Sequence, residues 1–204
     1  MAITERTRIL LREMVRVDLR RVRRIERAAY EDAWPRTTFE GELRNRLAQY
    51  VVAIERPQQS DPPPPLGRLA AIRQRLGIGG PVDDLVGYFG AWFTADQLHL
   101  VTLAVAPGHQ GRGIGQRLLI DCLTLASDAE LRTVALEVRA SNERAIELYE
   151  RYGLTHAGRV PKYYANNGED ALVMITPDYE PTEFAAHIDG LRAEHRSRYG
   201  EMFE

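Results

Sequence analysis

The run His109-Gln110-Gly111-Arg112-Gly113-Ile114-Gly115 sets three glycines at alternate positions, between a strand that ends near Val105 and a helix that starts near Gly113. Glycine lets a backbone approach a ligand closely. The free N–H groups of a helix's first turn, at the positive end of its dipole, suit an anion such as a pyrophosphate. The run is not a P-loop, because no Lys-Ser/Thr pair follows the glycines, and it misses the Rossmann spacing, because Gln116 stands where the third glycine belongs. A dinucleotide reading gains from Glu137, about 20 residues on, where a ribose-binding acid is expected. It loses because that acid should end its strand, whereas Glu137 sits inside Leu136-Glu137-Val138. The plain alternative is a turn with no ligand, for which three glycines at a helix start are a costly construction.

Two further residues could carry proton chemistry. On a strand from Thr133 to Val138, alternation puts Val134, Leu136 and Val138 on one face and Ala135 and Glu137 on the other. A carboxylate in a central strand is costly unless it is solvated, paired or used. An ion pair with Arg139 or with a neighbouring strand would be the structural use, and proton transfer the chemical one. Tyr149 follows on a helix that opens near Asn142, a residue suited to the N-cap. A phenol with its ordinary pKa of about 10 keeps its proton at neutral pH, as a general acid must. Ala145, Tyr149 and Tyr152 also form a helical stripe, so a core role for the ring stays open. The five histidines show no metal-ligand spacing, and no His-Glu-x-x-His occurs, so no metal is expected.

The elements that must position these groups can be read from periodicity and punctuation. A strand is expected over residues 7–15. Asp18 then suits the cap of a helix with Leu19, Val22, Ile25 and Ala29 on one face. A second helix is expected from about Thr37, with Phe39, Leu43 and Leu47 four apart, before a strand at Tyr50 to Ile54. Residues 57–84 hold four consecutive prolines, Pro62 to Pro65, and the Gly77 to Pro81 cluster, and read as a surface insertion. Strands at Leu85 to Phe93 and Gln97 to Val105 suggest a hairpin. The glycine run leads into a helix with Ile114, Leu118, Cys122, Leu125 and Ala126 in one stripe. Strands from Thr155 and over Ala171 to Ile175 follow, and Phe184, Ile188, Leu191, His195 and Tyr199 recur at helical spacing in the tail, where packing on the domain is the default. The division expected is one domain over residues 1–178 and a helical extension over 179–204.

Composition narrows the classes. At 204 residues and 44% hydrophobic, the chain is long enough for one domain with a sizeable core. Acidic residues number 29 against 27 basic ones, for a net charge of −2, so no bulk positive charge draws it to nucleic acid or an acidic membrane. Arg16, Arg20, Arg23, Arg24 and Arg27 read as a solvated face, since no aromatics interleave with them. Cys122 is the only cysteine, which excludes a disulfide framework and fits a reducing compartment. The stretch Met1 to Leu11 lacks the apolar core of a signal peptide, and no run is long enough for a membrane span; a cytoplasmic location is expected.

The motifs resemble a known family. Gln110-x-x-Gly113-x-Gly115 after Leu103-Ala104-Val105 is similar to the acetyl-CoA signature of the GNAT family of N-acetyltransferases. Glu137-Val138-Arg139-Ala140-Ser141-Asn142, then Ala145-Ile146-x-Leu148-Tyr149 and Gly153-Leu154, then Tyr163-Tyr164 and Gly168-Glu169-Asp170-Ala171, resemble its RimI-like branch of protein N-terminal acetyltransferases. The resemblance covers about Arg8 to Ile175 and is specific from Leu103 onward. It implies an α/β (α+β) fold with a mixed, mostly antiparallel central sheet flanked by helices, and acetyl-CoA as co-substrate. It places the acyl carbonyl against backbone N–H groups of Leu103, Ala104 and Val105. It places the pyrophosphate on Gly111, Arg112, Gly113, Ile114, Gly115 and Gln116, with Gln110 and Asn142 as further coenzyme contacts. Glu137 would be the general base, either directly or through a water, and Tyr149 the general acid; Trp34, Tyr163 and Tyr164 would wall the peptide site. Direct transfer in a ternary complex is expected, because Cys122 lies on an apolar stripe and makes a poor acyl carrier.

The expected acceptor is an N-terminal α-amine of a protein, by resemblance a ribosomal one. Magnitudes favour it: an α-amine is roughly 10 to 20% neutral at pH 7, a lysine about 0.04%. A lysine or small-molecule amine, or a regulatory module that binds acyl-CoA without turnover, are the alternatives. A monomer or weak homo-oligomer is expected.

Overall fold

The computed structural model describes residues 7–30, 39–57 and 84–203. Seven strands form one sheet: β1 (Thr7–Glu13), β2 (Ala48–Pro57), β3 (Asp84–Phe93), β4 (Gln97–Val105), β5 (Thr133–Arg139), β6 (Thr155–Tyr164) and β7 (Glu169–Ile175). Their order is β1-β2-β3-β4-β5-β7-β6, and every neighbouring pair is antiparallel except β4 with β5. The α-helices are α1 (Leu19–Ala29), α2 (Phe39–Glu42), α3 (Ile114–Asp128), α4 (Glu143–Arg151) and α5 (Pro181–Tyr199). The α+β sheet architecture expected from the motifs is the one observed.

Alternation gives the sheet two apolar faces. On one, Val51, Ala53, Phe89, Leu98, Val134, Leu136 and Val138 meet Leu118, Leu119, Cys122 and Leu123 of α3 and Phe184 and Ile188 of α5. On the other, Tyr50, Val52, Ile54 and Tyr88 meet Leu19, Val22 and Ile25 of α1, and Phe39 of α2. Each such fully buried aliphatic side chain contributes about 1.5–3 kcal/mol of transfer free energy, which is why these weakly helical and strand-like segments hold their shape together. A bulge between Gly90 and Ala91 pairs Thr102 with Gly90 and Leu100 with Ala91, leaving Val101 as the extra residue. Its consequence is a change of phase in β4. Leu98 and Leu100 face α3, whereas beyond the bulge Leu103 and Val105 face α3 and Ala104 faces α1.

Two local expectations are corrected. Asp18 precedes α1 but makes no side-chain cap. Its buried carboxylate turns back to accept from Arg12 Nη1 and Nη2, at 2.7 and 2.8 Å, and from Val15 N at 2.9 Å. A guanidinium fork outcompetes the helix amides for it. The second helix ends at Glu42, and Leu47 is 62% exposed instead of sharing the face of Phe39. Bonds from Arg44 N to Gly41 O and from Asn45 N to Glu42 O tighten the chain into turns, and Asn45 Oδ1 takes the Leu47 amide. Between β2 and β3, residues 58–83, most of the expected insertion, lie outside the described residues, as do residues 31–38.

Candidate functional site

The site grows from a gap in the sheet. β4 and β5 pair only at Gln97 with Thr133, Leu98 with Val134 and His99 with Ala135. Beyond His99 the two strands part, and the β4 edge from Val101 to Val105 no longer has β5 as its partner. The loop after β4 passes through a 3-10 turn, Pro107–His109, and enters α3 at Gly113.

Gly111 and Gly113 adopt left-handed φ values of +78° and +81°, a conformation that strains residues bearing a Cβ. A Cβ on Gly111 would meet open space. α3 carries no side-chain cap, and the first-turn amides of a helix have no partner within it, so a ring of donors is left for an anion. Gly115 sits over Leu103 and Val105, where a Cβ would be 3.6 Å from Val105 Cγ2, so the start of the helix lies close on the end of β4. Ile114 is buried and anchors this turn in the core, and Gln116 lies one residue further into the helix. The donor set fits a diphosphate.

Not every side chain of the loop faces that ligand. Arg112 is tied to Glu55 of β2, with Nη2–Oε1 at 2.6 Å and Nη1–Oε2 at 3.2 Å, and His109 Nε2 stands 3.1 Å from Glu55 Oε2. Hydrogen bonds from Arg112, working against the cost of burial, hold the Glu55 carboxyl below its usual range. The Arg112 side chain is therefore committed to β2 and turned away from the first turn of α3. Gln110 donates through Nε2 to Val105 O at 3.3 Å and accepts from Arg144 Nη1 of α4 at 3.0 Å, a link across the mouth of the gap. Asn142 caps α4, its Oδ1 accepting from Ala145 N at 3.2 Å.

Glu137 faces away from the α3 side, and its Oε2 lies 2.9 Å from His99 Nε2, each side chain 23% exposed. The carboxylate is thus paired across the parting strands and not with Arg139, which binds Glu169 at 2.9 Å. Arg139 also lies 3.8 Å above the Tyr164 ring, and that ring meets Tyr163 edge to face at 5.1 Å. These contacts tie the end of β6 to the end of β5. Burial and the nearby Glu137 charge both raise the Tyr163 phenol, while burial, opposed by Arg139, pushes Tyr164 up to about 12.

Tyr149 comes from α4 on the other side of the sheet. Burial raises its phenol well above the ordinary value, and the neighbouring Tyr30, Cys122 and Tyr164 add to the rise. Tyr30, at the end of α1, donates to Leu103 O at 2.9 Å and lies 3.3 Å from Thr102 Oγ1. Tyr163 and Tyr164 lie near enough to Glu137 to feel its charge, and Tyr149 near enough to Tyr164 and Tyr30 to feel theirs, so these side chains gather where β4 and β5 part. Trp34 lies outside the described residues.

His99 and Thr102 were not legible as site residues from the motifs. The signal for His99 was present: it is a polar residue flanked by Leu98 and Leu100 in a central strand, the same pattern that singled out Glu137. Thr102 gave none, because its place beside the Tyr30 and Tyr88 hydroxyls depends on the Val101 bulge.

The model of the acetyltransferase (GNAT) family matches residues 19–154. A Bacillus subtilis protein, provisionally named a ribosomal protein bS18-alanine N-acetyltransferase, is 31% identical over 170 residues, covering 83% of this chain and 95% of its own length. The N-alpha-acetyltransferase RimI of Mycobacterium tuberculosis is 30% identical over 175 residues, 83% of this chain and 92% of that protein. The crystal structure of the Escherichia coli ribosomal-protein-S18-alanine N-acetyltransferase superposes with a TM-score of 0.64 over 84% of this chain and 95% of its own, at 24% identity, and shares the fold. With the glycine loop at the head of α3, the parted strands and these relatives in agreement, the chain belongs to the GNAT family of acetyltransferases, a fold that implies acetyl-CoA as acyl donor.

Proposed function

We propose that this acetyltransferase moves the acetyl group of acetyl-CoA to the N-terminal α-amine of a protein, a ribosomal protein by likeness to its relatives, in the cytoplasm. The observation that carries the reading is the Glu137–His99 pair just where β4 and β5 part, with the Tyr163-Tyr164 pair near enough to feel the Glu137 charge. Acetyl-CoA supplies an activated acyl group as a thioester. The amides of Gly111 to Gln116 hold its diphosphate, and the N–H groups of Leu103 and Val105, on the β4 edge that has lost β5, face the acyl carbonyl, whereas Ala104 between them turns its peptide groups to β3, because successive strand residues alternate in direction. Glu137, steadied by the His99 N–H, accepts the proton of the incoming amine. Tyr149 keeps its proton throughout the physiological range and delivers it to the departing thiolate. Tyr163 and Tyr164 present aromatic edges and hydroxyls to a peptide backbone.

A direct ternary-complex route is supported by Cys122, which is fully buried and whose thiol burial raises far above its ordinary pKa. The test is incubation with acetyl-CoA and short peptides, including an Ala-initiated peptide with an internal lysine and its N-blocked twin, followed by fragment mass spectrometry. Label confined to the free α-amine is expected. Label on the lysine, or on neither peptide while acetyl-CoA still binds, would overturn the choice of acceptor.

A further inference from the structure

The family match ends at residue 154, yet the glycine loop leans on residues far beyond it. His195 of α5 is 4% exposed, and its Nε2 lies 3.0 Å from Gly113 O. A carbonyl can only accept, so the ring nitrogen carries the proton and donates. The same carbonyl accepts the first intrahelical bond of α3, from Arg117 N at 3.0 Å, so both of its lone pairs are engaged. One turn further along α5, the Tyr199 ring lies flush on Gly113, and a Cβ there would stand 2.7 Å from the ring. The His195 and Tyr199 rings are 4.8 Å apart, and Phe203 closes on His195 edge to face at 4.5 Å. Phe203 in turn bridges to Ile9 of β1.

The stripe Phe184, Ile188, Leu191, His195 could bury an aliphatic residue at its last position with less desolvation. A histidine there is explained by the bond that it makes. Gly113 is also the residue whose left-handed φ turns the chain from loop into helix, so its orientation decides where the first-turn amides point. On the opposite side, the Arg112–Glu55 pair ties the loop to β2. The loop is therefore clamped between β2 and α5.

We propose that α5 is a working part of the acetyl-CoA site: His195 and Tyr199 are positioning residues that hold Gly113 in place and so aim the amides of α3 at the diphosphate. This rests on the glycine loop holding acetyl-CoA and not on the choice of acceptor. Small misplacements of positioned donors are expensive in binding and rate.

The test is acetyl-CoA binding by calorimetry with the full chain, needing no acceptor, alongside thermal melting. His195→Ala should weaken binding about tenfold, the scale of loss when an outer hydrogen bond to a ligand-holding group is removed. His195→Gln, whose Nε2 can donate to the same carbonyl, should recover most of it. Leu191→Ala, on the same buried face but away from the loop, should lower the melting temperature and leave the dissociation constant unchanged. Tyr199→Ala, which keeps the His195 bond, gives an independent reading should His195→Ala fail to fold, and should also weaken binding several-fold.

Equal affinity in wild type, His195→Ala and Tyr199→Ala overturns the proposal. So does an equal loss in Leu191→Ala, which would mark the effect as general stability. Wild-type chain that binds no acetyl-CoA overturns it together with the loop reading. A chain that binds but acetylates no N-terminus contradicts only the acceptor, and the affinities still decide the role of α5.

Discussion

Glu137 and His99 come from strands that are about to part, and their 2.9 Å contact lies just past the last shared rung of the ladder. A carboxylate there is held in one orientation by a side chain through one of its two oxygens. Glu137→Gln keeps the shape and removes the basicity, so kcat should fall by about 10²–10⁴-fold. Tyr149→Phe removes only a hydroxyl and should lower kcat on a similar scale, about 10²-fold or more, if that hydroxyl protonates the thiolate. Steady-state rates on the acceptor peptide, with acetyl-CoA affinity measured in parallel, check both; affinity should stay within about twofold because neither group faces the phosphates. A loss of affinity with little change in kcat would instead assign Glu137 or Tyr149 to binding. Glu137 was legible in the sequence because alternation left one charged residue on a buried strand. Which partner it takes was not, since Arg139, two residues on, turns out to serve Glu169 and Tyr164, and only the strand register brings His99 across.

Among the elements, β3 shows how the sheet accommodates its aromatics. Tyr50 of β2 pairs with Gly90, and a Cβ at Gly90 would fall 2.2 Å from the Tyr50 ring. That ring is buried, and Phe39 meets it edge to face at 5.9 Å, so it has little room to yield. Gly90→Ala should therefore destabilise the fold by about 1–3 kcal/mol, as overpacking does, readable as a lower denaturant midpoint. An unchanged midpoint would mean that the bulge beside Gly90 absorbs the methyl.

At the β5–β7 end, hydrogen bonds from Ser141, then from Arg139 and Asn167, bring the Glu169 carboxyl down to about 2. Unfolded, the same group titrates near 4.3. Its folded pKa is the lower, so its contribution is complete above about 4.3 and is lost as the pH falls towards 2. The stability gap between wild type and Glu169→Gln should shrink over that window and stay level above it; a gap independent of pH would refute the assignment. Strands β1 to β7 could be placed from β-branched and aromatic runs bounded by turn residues. The short α2 could be placed but its end could not, because Leu43 and Leu47 satisfy helical spacing while Gly41 and Asn45 favour turns, and turn bonding won.

For the molecule as a whole, what the chain order hid was the gap. Periodicity reports which face of a strand is buried, but not whether a neighbour stays beside it along its length. The parting of β4 and β5 leaves the edge from Val101 to Val105 without that ladder: the carbonyls of Leu103 and Val105 take side-chain donors from Tyr30 and Gln110, and the N–H groups of the edge have no β5 carbonyl to meet, which is unfavourable where they are buried. Acetyl-CoA should relieve this, so hydrogen exchange of β4 amides on that edge should slow on binding, while amides in the β1–β2 ladder change little. Slowing spread evenly over the sheet would point to general stabilisation instead. Among the described residues, no helix is long and apolar enough to cross a membrane.

The buried thiol of Cys122 has a practical side. It is the chain's only cysteine, fully enclosed against α3's neighbours. A chromogenic thiol reagent added to the native protein therefore finds no protein sulfur to consume it and registers only the coenzyme A set free at each turnover, so acetylation of any acceptor can be followed continuously without a background correction. In denaturant the same reagent reports one event per opened molecule, which makes a single colour change serve as both a turnover counter and a gauge of the folded fraction.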